Sequence, residues 1–327
     1  MPPVRYFGFK KETSFGTEAT GSTYDITIAE SVSLDVPDDP VIPLPTLSAF
    51  PRGQIAGYYA NKGSFEYPID IQTIGYLLYF GMGGYTFTEG TPNNTHEFYA
   101  SQSKTLPSFT TRVGKDTFEH VFLGTVVNKM NVSVEDEVAV MKTDLLAKKD
   151  KKDNIRTTLN EPSGIFPIAF YKVNVSIGGT DKSPKIKSWE LEYDNGIKED
   201  SGRGFGSRFP YAFYTGDKSC SLTLKMKDDD SSILEAFWGD SSGASESSPA
   251  TFQVVTTFDA GSAGTMTVTF PKCYYKKIDT SIKGAEPREP QVELGCLEDE
   301  VTLNDGTTKV TTPCYVKIVN SETSVST

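Results

Sequence analysis

Eight stretches of this chain alternate apolar and polar residues with a period of two, and two others depart from that rhythm. The alternating stretches are 31–36 (SVSLDV), 64–71 (SFEYPIDI), 126–134 (VVNKMNVSV), 169–177 (AFYKVNVSI), 188–193 (SWELEY), 219–226 (SCSLTLKM), 265–270 (TMTVTF) and 314–319 (CYVKIV). Successive side chains of a strand point to opposite faces. The rhythm therefore predicts strands with one packed and one wet face, as in antiparallel sheets. The two exceptions, 73–81 (TIGYLLYFG) and 231–239 (SSILEAFWG), have helix-like apolar spacing and end at glycine. Asp228, Asp229 and Asp230 precede the second, where orphan amides and the helix dipole favour carboxylates. Few helices among many strands predict a mainly β fold with one short helix per unit.

The same features recur in the same order, which predicts a tandem repeat. SVSLDV at 31 matches SWELEY at 188, and NKGSFEY at 61 matches DKSCSLTL at 217. The helix ending Tyr79-Phe80-Gly81 matches the one ending Phe237-Trp238-Gly239. KMNVSV at 129 matches KIDTSI at 277, and PIAFYKVNVS at 167 matches PCYVKIVNS at 313 with one gap. The expected organisation is an N-terminal arm over 1–30, unit one over 25–180 and unit two over 183–327. The Gly- and Pro-marked GGTDKSPK joins the units. In this alignment Cys220 falls opposite Phe65, and Cys314 opposite the Ile168-Ala169 pair.

With 327 residues, the chain is long enough for about two domains. Its 43 acidic against 32 basic residues leave a net charge of −11, which argues against gripping a nucleic-acid backbone. That balance fits either ordinary solubility or a surface that something anionic must pass without sticking. Two histidines, His96 and His120, leave little for metal or triad chemistry. No apolar run reaches the ~18 residues of a membrane span, and MPPVRYFGFKK has no signal-peptide core. These features predict a soluble, non-secreted, non-enzymatic protein. The four cysteines, Cys220, Cys273, Cys296 and Cys314, allow two disulfides in three pairings. Their spacings match no zinc pattern, and the reading adopted is buried core thiols in a reducing compartment.

Several short motifs carry no chemistry. Arg203-Gly204-Phe205-Gly206 begins like an RNA-binding strand, but Ser207 and Arg208 end the match. Gly81-Met82-Gly83-Gly84 follows a helix instead of opening one, so it reads as a helix C-cap. The run over 148–152 (KKDKK) reads as a solvated loop tip, with contact to an acidic neighbouring subunit as the alternative. His96-Glu97 and Glu119-His120 are adjacent in strands, so each pair points to opposite faces and predicts no catalytic dyad. Two long irregular stretches stand out instead: 37–52, with five prolines, and 194–208, with four glycines. Loops of that length in a compact domain are usually functional or interface-forming.

A further set of motifs carries a family resemblance. The chain opens with a hydrophobic-Gly pair, Phe7-Gly8, followed by Glu12-Thr13-Ser14-Phe15-Gly16-Thr17. Later come Leu77-Leu78 before Gly81-Met82-Gly83, Leu106-Pro107-Ser108-Phe109-Thr110, and Phe122-Leu123-Gly124-Thr125-Val126-Val127-Asn128-Lys129-Met130. Unit two carries Leu191-Glu192-Tyr193-Asp194-Asn195-Gly196. In this order the motifs resemble tail tube proteins of long-tailed double-stranded-DNA viruses of bacteria or archaea, over nearly the whole chain.

The resemblance implies two tandem tube-like β-sandwich or partial-barrel units in a structural virion protein. Its rings stack into a hollow conduit through which viral DNA passes without specific binding. Six units of about four strands give roughly 24 strands, which at ~4.8 Å spacing and ~40° tilt make a backbone diameter of about 48 Å. A two-unit chain implies a homotrimeric, pseudo-six-fold ring, with a homohexamer as the alternative and an acidic lumen as the expectation. Other implied partners are tail terminator and distal tail proteins. No cofactor, metal, catalytic residue or membrane partner is implied. The inter-ring contact candidates are Pro37, Asp38, Asp39, Leu44, Phe50, Arg52, Ile197, Lys198, Arg203, Phe205 and Arg208. Two other readings stay open: a tail terminator, head-completion or distal ring protein, and a carbohydrate-binding adhesin. The adhesin needs exposed aromatic clusters, whereas Trp189 and Trp238 read as core positions.

Overall fold

The computed structural model describes residues 6–27, 31–37, 41–44, 50, 53–135, 137–154, 157–160, 166–227, 232–244, 250–279 and 289–325. The chain begins with β1 (Phe7–Lys11), β2 (Thr23–Thr27) and β3 (Ser31–Val32). A ribbon of β4 (Val41–Leu44) and β5 (Gly53–Ala56) precedes β6 (Asn61–Pro68) and α1 (Ile74–Met82). Then follow β7 (Gly83–Thr88), β8 (Asn94–Ala100), β9 (Phe109–Lys115), the long β10 (Phe118–Val134) and β11 (Ala139–Ala147). Next come β12 (Lys149–Asp153), β13 (Thr158–Asn160), β14 (Val173–Ile177), β15 (Thr180–Asp181) and β16 (Ile186–Asp194). The last part holds β17 (Ser219–Met226), α2 (Ser232–Trp238), β18 (Phe252–Asp259) and the long β19 (Gly264–Ile278). It ends with β20 (Gln291–Leu297), the hairpin β21 (Asp299–Thr302) with β22 (Lys309–Thr312), and β23 (Tyr315–Asn320).

Three ladders organise these strands. The central one is antiparallel throughout and runs β3–β6–β11–β10–β16–β17–β20–β19. One flank runs β13–β2–β1–β9–β10–β12. The other runs β15–β14–β18–β19–β23–β8–β7. The two long strands belong to two ladders each, since their first halves lie in a flank and their second halves in the centre. Register shifts at 122–125 and 127–129 in β10, with Gly124 at φ +64°, bend the strand between sheets, as bulges do. Among the described residues the ladders are open, with free edges.

Alternation places the core as expected. In β16, Trp189, Leu191 and Tyr193 are buried, and in β17 Cys220, Leu222, Leu224 and Met226 are. Both halves of the chain feed one continuous apolar core, which includes Phe65, Leu77, Trp189, Leu222 and Phe258. α1 lies on β10 so closely that a Cβ on Gly81 would sit 2.3 Å from Met130 Sδ. Gly83, in the left-handed region at φ +79°, ends the helix, as the C-cap reading expects.

The structure alters several expectations. The repeat places residues 173–177 at the end of unit one, yet β14 pairs with β18, while β23 pairs with β19 on its other side. These two strands do not hold equivalent places, so the 167/313 match and the boundary at 180–183 do not follow the pairing. β23 also pairs with β8, interlocking the two halves. The 37–52 stretch is not wholly irregular, since β4 and β5 make an antiparallel ribbon within and beyond it. The lysine-rich 148–152 run contains a strand instead of a loop tip, because β10 offers it an edge and Lys151 finds Glu18 at 2.7 Å. Trp238 is half-buried and not a core residue. Asp228–Asp230 lie outside the described residues.

Candidate subunit interfaces

The family motifs converge on one buried carboxylate. Glu12 accepts hydrogen bonds from Gly16 N (2.8 Å), Ser108 Oγ (2.8 Å), Thr110 Oγ1 (3.0 Å) and Gly124 N (2.8 Å). The opening Glu-Thr-Ser-Phe-Gly, the Leu-Pro-Ser-Phe-Thr and the Phe-Leu-Gly-Thr segments are thus one knot that clips the N-terminal arm to β9 and β10. A second knot ties the halves. Asn195 donates from Nδ2 to Gly81 O (2.9 Å) and Val127 O (3.2 Å), and Asn128 Oδ1 accepts Ile197 N (2.8 Å). Beside the first knot, buried Arg112 pairs with buried Glu119 and with Glu18 at 2.5 Å. Tyr6 OH also donates to Glu119, which takes Thr157 N at 2.8 Å.

The two His-acid neighbours do face opposite ways. His96 meets Tyr85 OH (2.9 Å) and Glu322 O (3.1 Å), while Glu97 accepts from Tyr315 OH (2.5 Å) and Asn304 N (2.8 Å). Burial pushes the His96 imidazole below its ordinary pKa, so it stays neutral in place. His120 meets Asp150 Oδ2 at 2.6 Å, on the face away from Glu119.

The central ladder repeats its own strand pattern. Read across the first four strands, one row is Val32–Phe65–Thr143–Met130. Across the last four, another is Trp189–Leu224–Val292–Ile278. Two sequence matches, 31/188 and 129/277, set Val32 against Trp189 and Met130 against Ile278, and both fall in these rows. The rows also put Phe65 in the place of Leu224, so Cys220 does not stand opposite Phe65.

Where the quartets meet, β10 faces β16 with Met130 opposite Tyr193, four residues along from Trp189. Lys129 Nζ meets Glu192 Oε1 at 2.8 Å across that joint, and Asn131 donates to Glu190 at 2.6 Å. Among the described strands, β3 pairs only with β6, and residues 274–278 of β19 pair only with β20. Each therefore presents an unpaired edge, which is a template for another strand. The sequence contained the joint only as the weak KMNVSV/KIDTSI match.

The wet face of the central ladder carries both signs of charge. Lys62, Lys129, Lys225 and Lys276 each lie within 4.0 Å of a carboxylate. Period-two strands must place something polar there, and these four lysines each answer a nearby carboxylate.

The interface candidates divide by location. Leu44 and Phe50 are exposed, with Phe50 at 78%, and Val41, Ile42 and Ile55 of the same ribbon are exposed as well. Pro37 is half-buried, and Asp38, Asp39 and Arg52 lie outside the described residues. In the second stretch, Lys198, Arg203 and Phe205 face outward, and Phe205 is fully exposed. Ile197 is instead buried beside Phe213 in a small apolar cluster, and Arg208 is engaged within the chain. Its guanidinium lies 5.0 Å from the Tyr59 ring, and its Nε donates to Gly57 O at 3.2 Å. Tyr58 OH donates to Glu199 O at 2.8 Å, so this loop is fastened onto residues 57–59. Its glycines allow close packing within the loop itself, since a Cβ on Gly196 or Gly202 would collide with the backbone of Asp217 or Ala212.

No helix in the described chain is long and apolar enough to cross a membrane. No individually characterised protein matched the sequence. A model of the phage tail tube protein family matches residues 4–304, most of the chain. The chain belongs to the phage tail tube protein family: it is a structural component of the viral tail and not an enzyme.

Proposed function

We propose that three copies of this chain close into a ring of pseudo-six-fold symmetry, and that stacked rings form the conduit for viral DNA. The observation that carries this reading is the repeated quartet in the central ladder. The β10–β16 joint supplies the template: β19 of one copy adds to β3 of the next in the same register. Carrying Met130 to Ile278 and Tyr193 to Val36 sets Ile278 opposite Val36. Lys277 then takes the place of Lys129, and Asp35 that of Glu192.

The four-residue stagger per quartet supports closure quantitatively. Six quartets accumulate roughly 24 residues of stagger over roughly 24 strands. At ~3.3 Å per residue and ~4.8 Å between strands, that is a tilt of ~35° and a backbone diameter of ~45 Å. The tilt lies in the range that closed barrels adopt. Side chains narrow the bore to roughly 35 Å, wider than a duplex of about 20 Å. Wet-face lysines already paired with carboxylates release few counterions, so passing DNA gains little by sticking.

The test is a charge exchange at the joint. Lys277→Glu is expected to abolish ring and tube formation in negative-stain micrographs, and adding Asp35→Lys to restore it. Six chains per ring, or tubes indifferent to both changes, would overturn the reading. Single rings that never stack would favour a terminator or distal ring.

A further inference from the structure

All four cysteines of the chain, spread from Cys220 to Cys314, gather at one end of the central ladder. Cys273 stands directly opposite Cys296 in the β19–β20 pair, with their sulfurs 3.9 Å apart. The β17–β20 register pairs Ser221 with Gly295, which sets Cys220 opposite Cys296 on its other side. Cys314, just before β23, is buried within hydrogen-bonding reach of Cys220. All four are free thiols. Among the described residues no group of three or more His, Cys, Asp or Glu is arranged to hold a metal ion, so the chemistry open to this cluster is that of thiols.

Two features separate Cys296 from the other three. It is half-buried, and together with Cys220 it lines a cleft of about 820 Å³ bordered by Tyr274 and Lys276. It is also flanked by two S–H donors, Cys220 and Cys273, which hold its thiol below the usual range although burial opposes this. The same contacts push the other two up. Cys296 is thus the thiol that a small oxidant in the cleft reaches, and Cys273 is the thiol in contact with it. The backbone is already suitable for a bond to Cys273. Facing residues of an antiparallel ladder have Cα atoms ~4.5 or ~5.5 Å apart, inside the ~4.4–6.8 Å that disulfides span.

We propose that Cys296 and Cys273 form a peroxide-reactive dithiol that closes into a cross-strand disulfide between β20 and β19. The Cys296 thiolate attacks the terminal oxygen of a hydroperoxide; the S–O bond forms, the O–O bond breaks, and the departing alkoxide or hydroxide takes a proton. Cys273 then attacks the resulting sulfenic acid; the S–S bond forms, and the hydroxyl leaves with the Cys273 proton as water. The sum is two thiols and one hydroperoxide giving one disulfide, one alcohol or water, and one further water. If the ring reading holds, this bond fixes the edge strand that meets the next copy.

The test uses the full chain and does not require a ring. After treatment with hydrogen peroxide, the protein is denatured, its remaining thiols are blocked with N-ethylmaleimide, and its peptides are mapped by mass spectrometry. Blocked thiols are expected to fall from four to two per chain, with Cys273 linked to Cys296. Cys220→Ser is expected to keep that link, and Cys296→Ser to abolish it. Four surviving thiols, a dominant Cys220–Cys296 or Cys220–Cys314 link, or bonds only between chains would overturn the proposal. The wild-type map decides the matter even if a variant fails to fold.

Discussion

At the scale of single residues, buried carboxylates hold this chain together. Glu12 satisfies four donors from three segments that are distant in sequence. Glu12→Gln keeps one acceptor oxygen and adds two donors, so buried N–H and O–H groups lose their partner at about 1–3 kcal/mol each. We expect Glu12→Gln to lower stability by at least about 2 kcal/mol, read as a drop in the urea midpoint at unchanged slope. Asp150 gives a pH signature. Burial opposes its charge, but hydrogen bonds from His120 and Tyr59, each at 2.6 Å, prevail and hold it below the usual carboxylate range. A depressed carboxylate contributes stability that is present above its unfolded value near ~3.9 and lost as pH falls through its folded one. Asp150→Asn should therefore be less stable than wild type at neutral pH, and the gap should close on acidification below about pH 4. A series of urea midpoints against pH checks this. The resemblance motifs were visible as residue patterns, but their chemistry was not, because Glu12, Ser108 and Gly124 meet only in the folded chain.

At the scale of elements, legibility followed burial. Strands with one wet face, such as β16 and β17, were read directly from their alternation. The first half of β10 was not, since Glu119 to Val126 are buried on both faces and show no alternation. In β18 and β20 the alternation is blurred by neighbours of like kind, Val254-Val255 and Leu294-Gly295. The β4–β5 ribbon hid among prolines, and its structure poses a physical problem. A two-stranded ribbon is marginal alone, and this one exposes Val41, Ile42, Leu44 and Ile55. In the stacked rings we propose, burial against an adjacent ring would resolve that exposure. Replacing residues 41–56 with a short turn is therefore expected to leave the monomer folded by circular dichroism and to stop long tubes in micrographs. Tubes of normal length would assign the ribbon another task.

At the scale of the whole molecule, the central ladder has an edge strand at each end and an antiparallel joint between its halves, which is the template for the ring we propose. The fold class, the two short helices and the family were all within reach of the sequence, because side-chain alternation and helix spacing are local properties of the chain. The sequence alone therefore determined which face each strand residue takes and which segments resemble one another. Tertiary structure alone decided which edge meets which, where the long strands pass from one sheet to another, and that Cys220, Cys273, Cys296 and Cys314 become neighbours. The reason is physical. A strand offers the same backbone donors and acceptors on both edges, so its partner and register are chosen by distant residues competing for one core.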